Sequence, residues 1–146
     1  MTGERWTRNS PPEPGDFRHW FGTIVHHADL DPNGHANNTV FSVWFDDGRY
    51  QLIVDRLHPV MRPGRYLALA TSRIEFWSEV RFGDTPRIGT QLDRIGTSSF
   101  AMRQAIFVGE RVAAVSETVT VMADGTTRRA ATLDPAELRA LEELGD

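Results

Sequence analysis

Ala28-Asp29-Leu30-Asp31-Pro32-Asn33-Gly34-His35-Ala36-Asn37-Asn38 runs without a break into a long apolar stretch at residues 39–57. The first part is a turn: Pro32 and Gly34 stop any regular element. The second part is too long and too apolar for a strand and predicts a helix. Placed at about 100° per residue, Val40, Val43, Trp44, Tyr50, Val54 and Leu57 share one side. Phe41, Phe45 and Leu52 fall on another side, and Ser42, Asp46, Arg49 and Arg56 form a narrow polar arc. A helix apolar around most of its circumference must be buried. A sheet on one side and a partner chain on the other would do this. Asn37 or Asn38 fits the N-cap, and His58-Pro59 and Pro63-Gly64 end the helix. The turn therefore delivers acids, an imidazole and amides to a helix start, where backbone N–H groups are free. Such a group can hold and attack a carbonyl.

The remaining sequence supplies the sheet. Residues 17–27 read as a first strand, 66–77 as a second, then 87–95, 98–108 and 111–122. The last three are joined by short glycine-containing turns at Gly96-Thr97 and Gly109-Glu110, which predicts an antiparallel meander. Asp134-Pro135-Ala136-Glu137 opens a short final helix ending near Leu144. Residues 1–16, with Pro11, Pro12, Pro14 and Gly15, are expected to form a flexible or loosely docked tail. Residues 17–146 are expected to form a single α+β domain. Its simplest form is a five-stranded antiparallel sheet wrapped around the long helix. The sheet's edges would pair across a two-fold axis.

Composition removes several chemistries. The chain of 146 residues has 16 basic residues, all arginine, and no cysteine. Lysine Schiff bases, thiolate nucleophiles, disulfides and cysteine-ligated zinc are excluded. A net charge of −4 argues against nucleic acid as a general partner. No apolar run approaches the roughly 20 residues of a membrane span. Arg5 and Arg8 are followed by no apolar run, so no signal peptide is expected and the location is expected to be cytoplasmic.

Asp29-Leu30-Asp31-Pro32-Asn33-Gly34-His35-Ala36-Asn37-Asn38 resembles the D-x-D-x-x-G-H-v-N-N turn of hotdog-fold acyl-CoA thioesterases of the 4-hydroxybenzoyl-CoA thioesterase type. Trp44-Phe45-Asp46-Asp47-Gly48-Arg49 resembles that family's W-x-E-E-x-R helix segment, with shorter acids where glutamate is usual. The turn is also similar to D-L-D-V-N-x-H-V-N-N of plant acyl-carrier-protein thioesterases. The resemblance covers roughly residues 17–124. It implies the hotdog fold, a homodimer with its site at the interface and, in many members, a tetramer. It implies a substrate that is an acyl-CoA or acyl-carrier-protein thioester. No metal and no separate cofactor are implied, coenzyme A being part of the substrate. By position, Asp31 falls on the catalytic carboxylate, and Asn33 and His35 fall on assisting polar residues. Asn38 falls where a backbone N–H binds the thioester oxygen.

The residues themselves leave each role with an ordinary counterpart. Asp31 can attack, or activate water, or merely cap its turn. Asn33 and His35 can orient it, or belong to the turn. Asn37 and Asn38 can bind substrate, or cap the helix. Asp47 falls on an apolar side, where it would be a second acid in the cavity or one half of a buried ion pair. Arg73 or Arg128-Arg129 could meet CoA phosphates, or be solvated surface. Asp29-x-Asp31-x-Asn33-Gly34 opens like a calcium loop, but the twelfth position is Val40 where glutamate is required. His26 and His27, adjacent on a strand, would point to opposite faces and could not share a metal.

The expected reaction is hydrolysis of an acyl thioester. A hotdog hydratase or dehydratase fits less well, because its Asp and His lie five apart whereas Asp31 and His35 lie four apart. A non-catalytic acyl-thioester binder is the other alternative.

Overall fold

The computed structural model describes residues 4–146. Its centre is helix α1, Asn38–Arg56. The Asn37 side chain starts it by accepting from the Thr39 N–H at 3.0 Å, the expected cap role. Phe41, Trp44, Phe45, Leu52 and Ile53 bury one side of α1.

The strands are β1, His19–Gly22; β2, Arg65–Phe76; β3, Arg87–Ile95; β4, Ser99–Val108; and β5, Arg111–Asp124. They form one antiparallel sheet in the order β1-β3-β4-β5-β2. This is the hotdog architecture. The meander β3–β4–β5 is its middle, and β1 and β2 are its edges. The inner face meets α1 in two apolar clusters. Toward the start of α1, Phe41, Trp44 and Phe45 pack with Val80, Ile88 and Ile106. Toward its end, Leu52, Ile53 and Leu57 pack with Phe100, Met102 and Met122. Gly48 lets α1 approach closely: a Cβ there would stand 3.0 Å from Ile88 Cγ2 and 3.2 Å from Gln104 Nε2.

Helix α2, Pro135–Gly145, closes the second cluster with Leu141 and Leu144. A buried ion pair ties it to the start of β2, with Arg65 Nη1 3.0 Å from Glu137 Oε1. Burial pushes the Glu137 carboxyl up, against the downward pull of Arg65.

Three expectations need correction or detail. The first strand is four residues long, not the expected stretch 17–27. After Gly22 the chain leaves the ladder, and Asp29 Oδ2 accepts from the His26 N–H at 2.8 Å to fold a short 3-10 turn at His27–Asp29. Asp47 is exposed and makes no ion pair among the described residues. The buried charge is Arg49, which reaches Asp46 at 3.2 Å instead. The sheet covers the side of Phe41, Phe45 and Leu52 and takes in Trp44 and Leu57, but leaves Val43, Tyr50, Val54 and with them Asp47 uncovered.

Of the expected tail, residues 1–3 lie outside the described residues. Glu4–Asp16 rests on the outer sheet face. Arg8 donates to the Trp77 and Phe76 carbonyls at 2.9 and 3.1 Å. Arg103 stacks on Trp6 and donates to the Glu4 carbonyl at 2.9 Å. Phe17 covers Gly89, where a Cβ would come within 2.5 Å of its ring.

Candidate active site

The turn before α1 is built from its own side chains. Asp31 Oδ1 accepts from the Asn33 and His35 N–H groups at 2.8 and 3.1 Å. The Asp31 N–H donates to the His35 carbonyl at 2.8 Å, and the Gly34 N–H to the Asp31 carbonyl at 3.0 Å. Gly34 has φ +79°, the left-handed region that favours glycine. The turn is then stitched to the segment after β2. The Ala36 N–H donates to the Val80 carbonyl at 2.7 Å, and His35 bridges Arg81.

This stitching makes a crevice of about 340 Å³ at the helix start, lined by Asp31, His35, Asn38, Phe41, Phe76 and Glu79 among others. Of the expected site residues, Asp31, His35 and Asn38 line it together. Asn33 and Asn37 are exposed and stand outside its lining: Asn33 supplies a backbone N–H to Asp31, and Asn37 caps the helix. Asp47 is also outside it.

Asp31 does two things at once. One oxygen is the turn's cap, and the other takes no hydrogen bond among the described residues. The Asn38 N–H likewise has no acceptor among them, and it sits at the positive end of the α1 dipole. Asp31, with one free carboxylate oxygen, and Asn38, with an unpaired amide among the described residues, therefore line one crevice, and a carboxylate beside a free amide can attack a carbonyl while polarising it.

Sequence reasoning missed Glu79. Its Oε2 lies 3.1 Å from His35 Nε2 and 3.5 Å from Arg81 Nη2. The segment carrying it is held by Arg111, which donates to the Ser78 hydroxyl at 2.6 Å and to the Glu79 carbonyl at 2.7 Å. Glu79 follows the second strand by three residues and belongs to no local motif, so nothing in its surroundings marked it.

A family model described as the thioesterase-like superfamily matches residues 25–141, well over half of the chain. The chain belongs to the thioesterase-like superfamily. Thioester hydrolysis is the general chemistry that membership assigns to this enzyme. The matched span takes in the whole turn, α1 and all of the sheet except β1.

Solved structures with the same fold include a protein of Pseudomonas aeruginosa strain PAO1. It is 23% identical, with a TM-score of 0.81, over 91% of this chain and 95% of that one. A thioesterase from Thermus thermophilus, described as complexed with coenzyme A and zinc, is 26% identical. Its TM-score is 0.79, over 88% of this chain and 95% of that one. A 1,4-dihydroxy-2-naphthoyl-CoA thioesterase from Synechocystis is 18% identical, with a TM-score of 0.77, over 88% and 98% of the two chains. No curated protein matches the sequence. Among the described residues of this thioesterase-like chain, no group of three or more His, Cys, Asp or Glu is placed to hold a metal ion. Among them, too, no helix is long and apolar enough to cross a membrane.

Proposed function

We propose that this enzyme hydrolyses an acyl-CoA thioester, or the equivalent acyl-carrier-protein thioester, with Asp31 as nucleophile or general base. The observation that carries the reading is that Asp31 and Asn38, whose N–H has no acceptor among the described residues, line the same crevice. The Asn38 amide receives the thioester oxygen as it becomes negative. Asp31 either attacks the acyl carbon or takes a proton from the attacking water. The carbon–sulfur bond breaks, water's oxygen remains on the acid, and the thiolate leaves with a proton. His35, paired with Glu79, supplies or relays that proton on this reading. Asn33 assists through its N–H to Asp31. Coenzyme A enters as part of the substrate, and no separate cofactor takes part. The coenzyme A named with the Thermus relative supports CoA as the carrier.

The working unit on this reading is a homodimer. Strand β2 is an unpaired sheet edge of 12 residues. On it, Leu69 and Phe76 are 50 and 42% exposed, and beside it on α1 Val43 and Tyr50 are 57 and 59% exposed. A second copy pairing its own β2 would cover that apolar strip and the open edge together.

A panel of acyl-CoAs monitored with a thiol-detecting dye tests the activity. Release of free thiol with at least one acyl group supports it. Saturable binding without turnover would make the protein a binder instead, and loss of enoyl absorbance without thiol release would make it a hydratase.

A further inference from the structure

A second cavity, of about 510 Å³, lies between the later turns of α1 and the first half of β2. Tyr50, Ile53, Leu67 and Leu69 give it apolar walls, and Arg49, Asp46 and His58 give it polar ones. Along α1, Tyr50 is twelve residues beyond Asn38, which is about 18 Å at 1.5 Å per residue. Within one chain the Tyr50 end of this cavity is therefore well separated from Asn38, while Asp46 and Phe41 mark the nearest approach of the two linings along α1.

The edge strand brings the two together. β2 lines the second cavity with Arg65, Tyr66, Leu67 and Leu69, and it reaches the crevice with Phe76. When two copies pair β2 antiparallel across a two-fold near its middle, the end of one strand meets the beginning of the other. In that pairing the crevice end of each β2 lies beside the cavity end of its partner's β2.

Each arginine lining that cavity has an acidic partner, but the partner of Arg49 is largely in water. Arg49 is 5% exposed, donating to Gln104 Oε1 at 2.8 Å and to Asp46 Oδ1 at 3.2 Å. The Asp46 side chain is 71% exposed, so water screens its charge. Burial pushes the Arg49 guanidinium down, against the upward pull of Asp46. Arg65, also in the lining, is matched by the buried Glu137. A buried cation with only a solvated counter-charge favours an anion brought by a ligand.

Resting on the thioesterase reading, we propose that the second cavity of one subunit holds the acyl group of the thioester bound at its partner's crevice, and that it selects acyl groups ending in a carboxylate. The apolar walls take the methylene chain, and Arg49 meets the far carboxylate. A plain alkyl terminus would instead leave the guanidinium facing hydrocarbon.

Adipoyl-CoA and hexanoyl-CoA, equal in carbon number, are compared on the wild-type protein in the presence of the thiol dye. Adipoyl-CoA is expected to have the higher kcat/KM by about ten- to a hundredfold, the scale of a charge-assisted contact. Arg49→Met should abolish that preference, with folding checked by circular dichroism. Asp46→Asn, at an exposed position, should raise it about threefold by removing the competing acid. Equal rates, or a preference for hexanoyl-CoA, on a protein that hydrolyses both would overturn this inference and leave the thioesterase reading standing. Hydrolysis of neither these nor any other acyl-CoA would overturn both. A monomer by sedimentation that still prefers adipoyl-CoA would overturn the shared-cavity geometry.

Discussion

On the proposed mechanism Asp31 both holds a turn and does chemistry, with one oxygen for each task. The capping oxygen takes two backbone N–H groups, so the carboxyl cannot rotate away from the helix start. Glu79 has a narrower task. It sits 3.1 Å from His35 Nε2 and fixes the ring beside Asp31. Glu79→Gln keeps the size and removes the charge. Steady-state kinetics should show kcat lowered about tenfold with KM nearly unchanged, within the range that acid–base assistance contributes. A raised KM at constant kcat would show that Glu79 binds substrate instead. The Asp31, His35 and Asn38 cluster was legible because one short run of sequence contains it, and turn chemistry and helix capping act over that range. Glu79 was not, since only the path of the chain after β2 brings it within reach. Asp47 was misplaced for a different reason. A helical wheel shows which sides of α1 are apolar, but not which of them the sheet covers.

At the level of elements, β3 lies where the sequence predicted it, at 87–95, and β4 and β5 differ only at their ends. Their bounding turns use glycine and short polar residues, which act locally. β1 was overestimated because Thr23, Ile24 and Val25 are β-branched as in a strand, yet the chain turns away after Gly22 and the Asp29 carboxyl caps the turn that follows. The attachment of α2 was not foreseen at all, because it depends on a buried pair 72 residues apart, Arg65 and Glu137. Removing one partner of such a pair strands the other charge. Glu137→Ala is expected to cost about 3–5 kcal/mol in urea unfolding. The double variant Arg65→Met, Glu137→Leu should recover most of that loss. The pH sign follows from the raised Glu137 carboxyl. A carboxyl whose pKa is higher folded than unfolded favours folding most fully below the unfolded value. That contribution is lost as pH rises through the folded value. Replacement by Leu should therefore flatten the stability profile between those two values.

At the level of the molecule, the inner sheet face is filled by α1 and the outer face carries Glu4–Phe17. An apolar strip stays open along the β2 edge and the adjoining side of α1. Equilibrium sedimentation should give a dimer. Leu69→Arg, placing a charge at that exposed edge position, should shift the protein toward monomer and lower thiol release with it. A wild-type monomer with full activity would contradict the dimer. In the sequence, the excess of apolar side chains on α1 is what suggests such a partner. Sequence alone could not say that one edge strand would carry both cavities, because that follows from the strand order.

The most direct test of Asp31 as the reacting carboxylate is Asp31→Asn in a thiol-release assay on the best acyl-CoA substrate. Asparagine retains an oxygen for the Asn33 and His35 N–H groups, so the turn should survive and the melting temperature should barely move. With the carboxylate gone, kcat should fall by about two to four orders of magnitude. Thiol release within about twofold of the wild type, on a folded variant, would contradict that role, since so small a change lies far below what acid–base catalysis supplies.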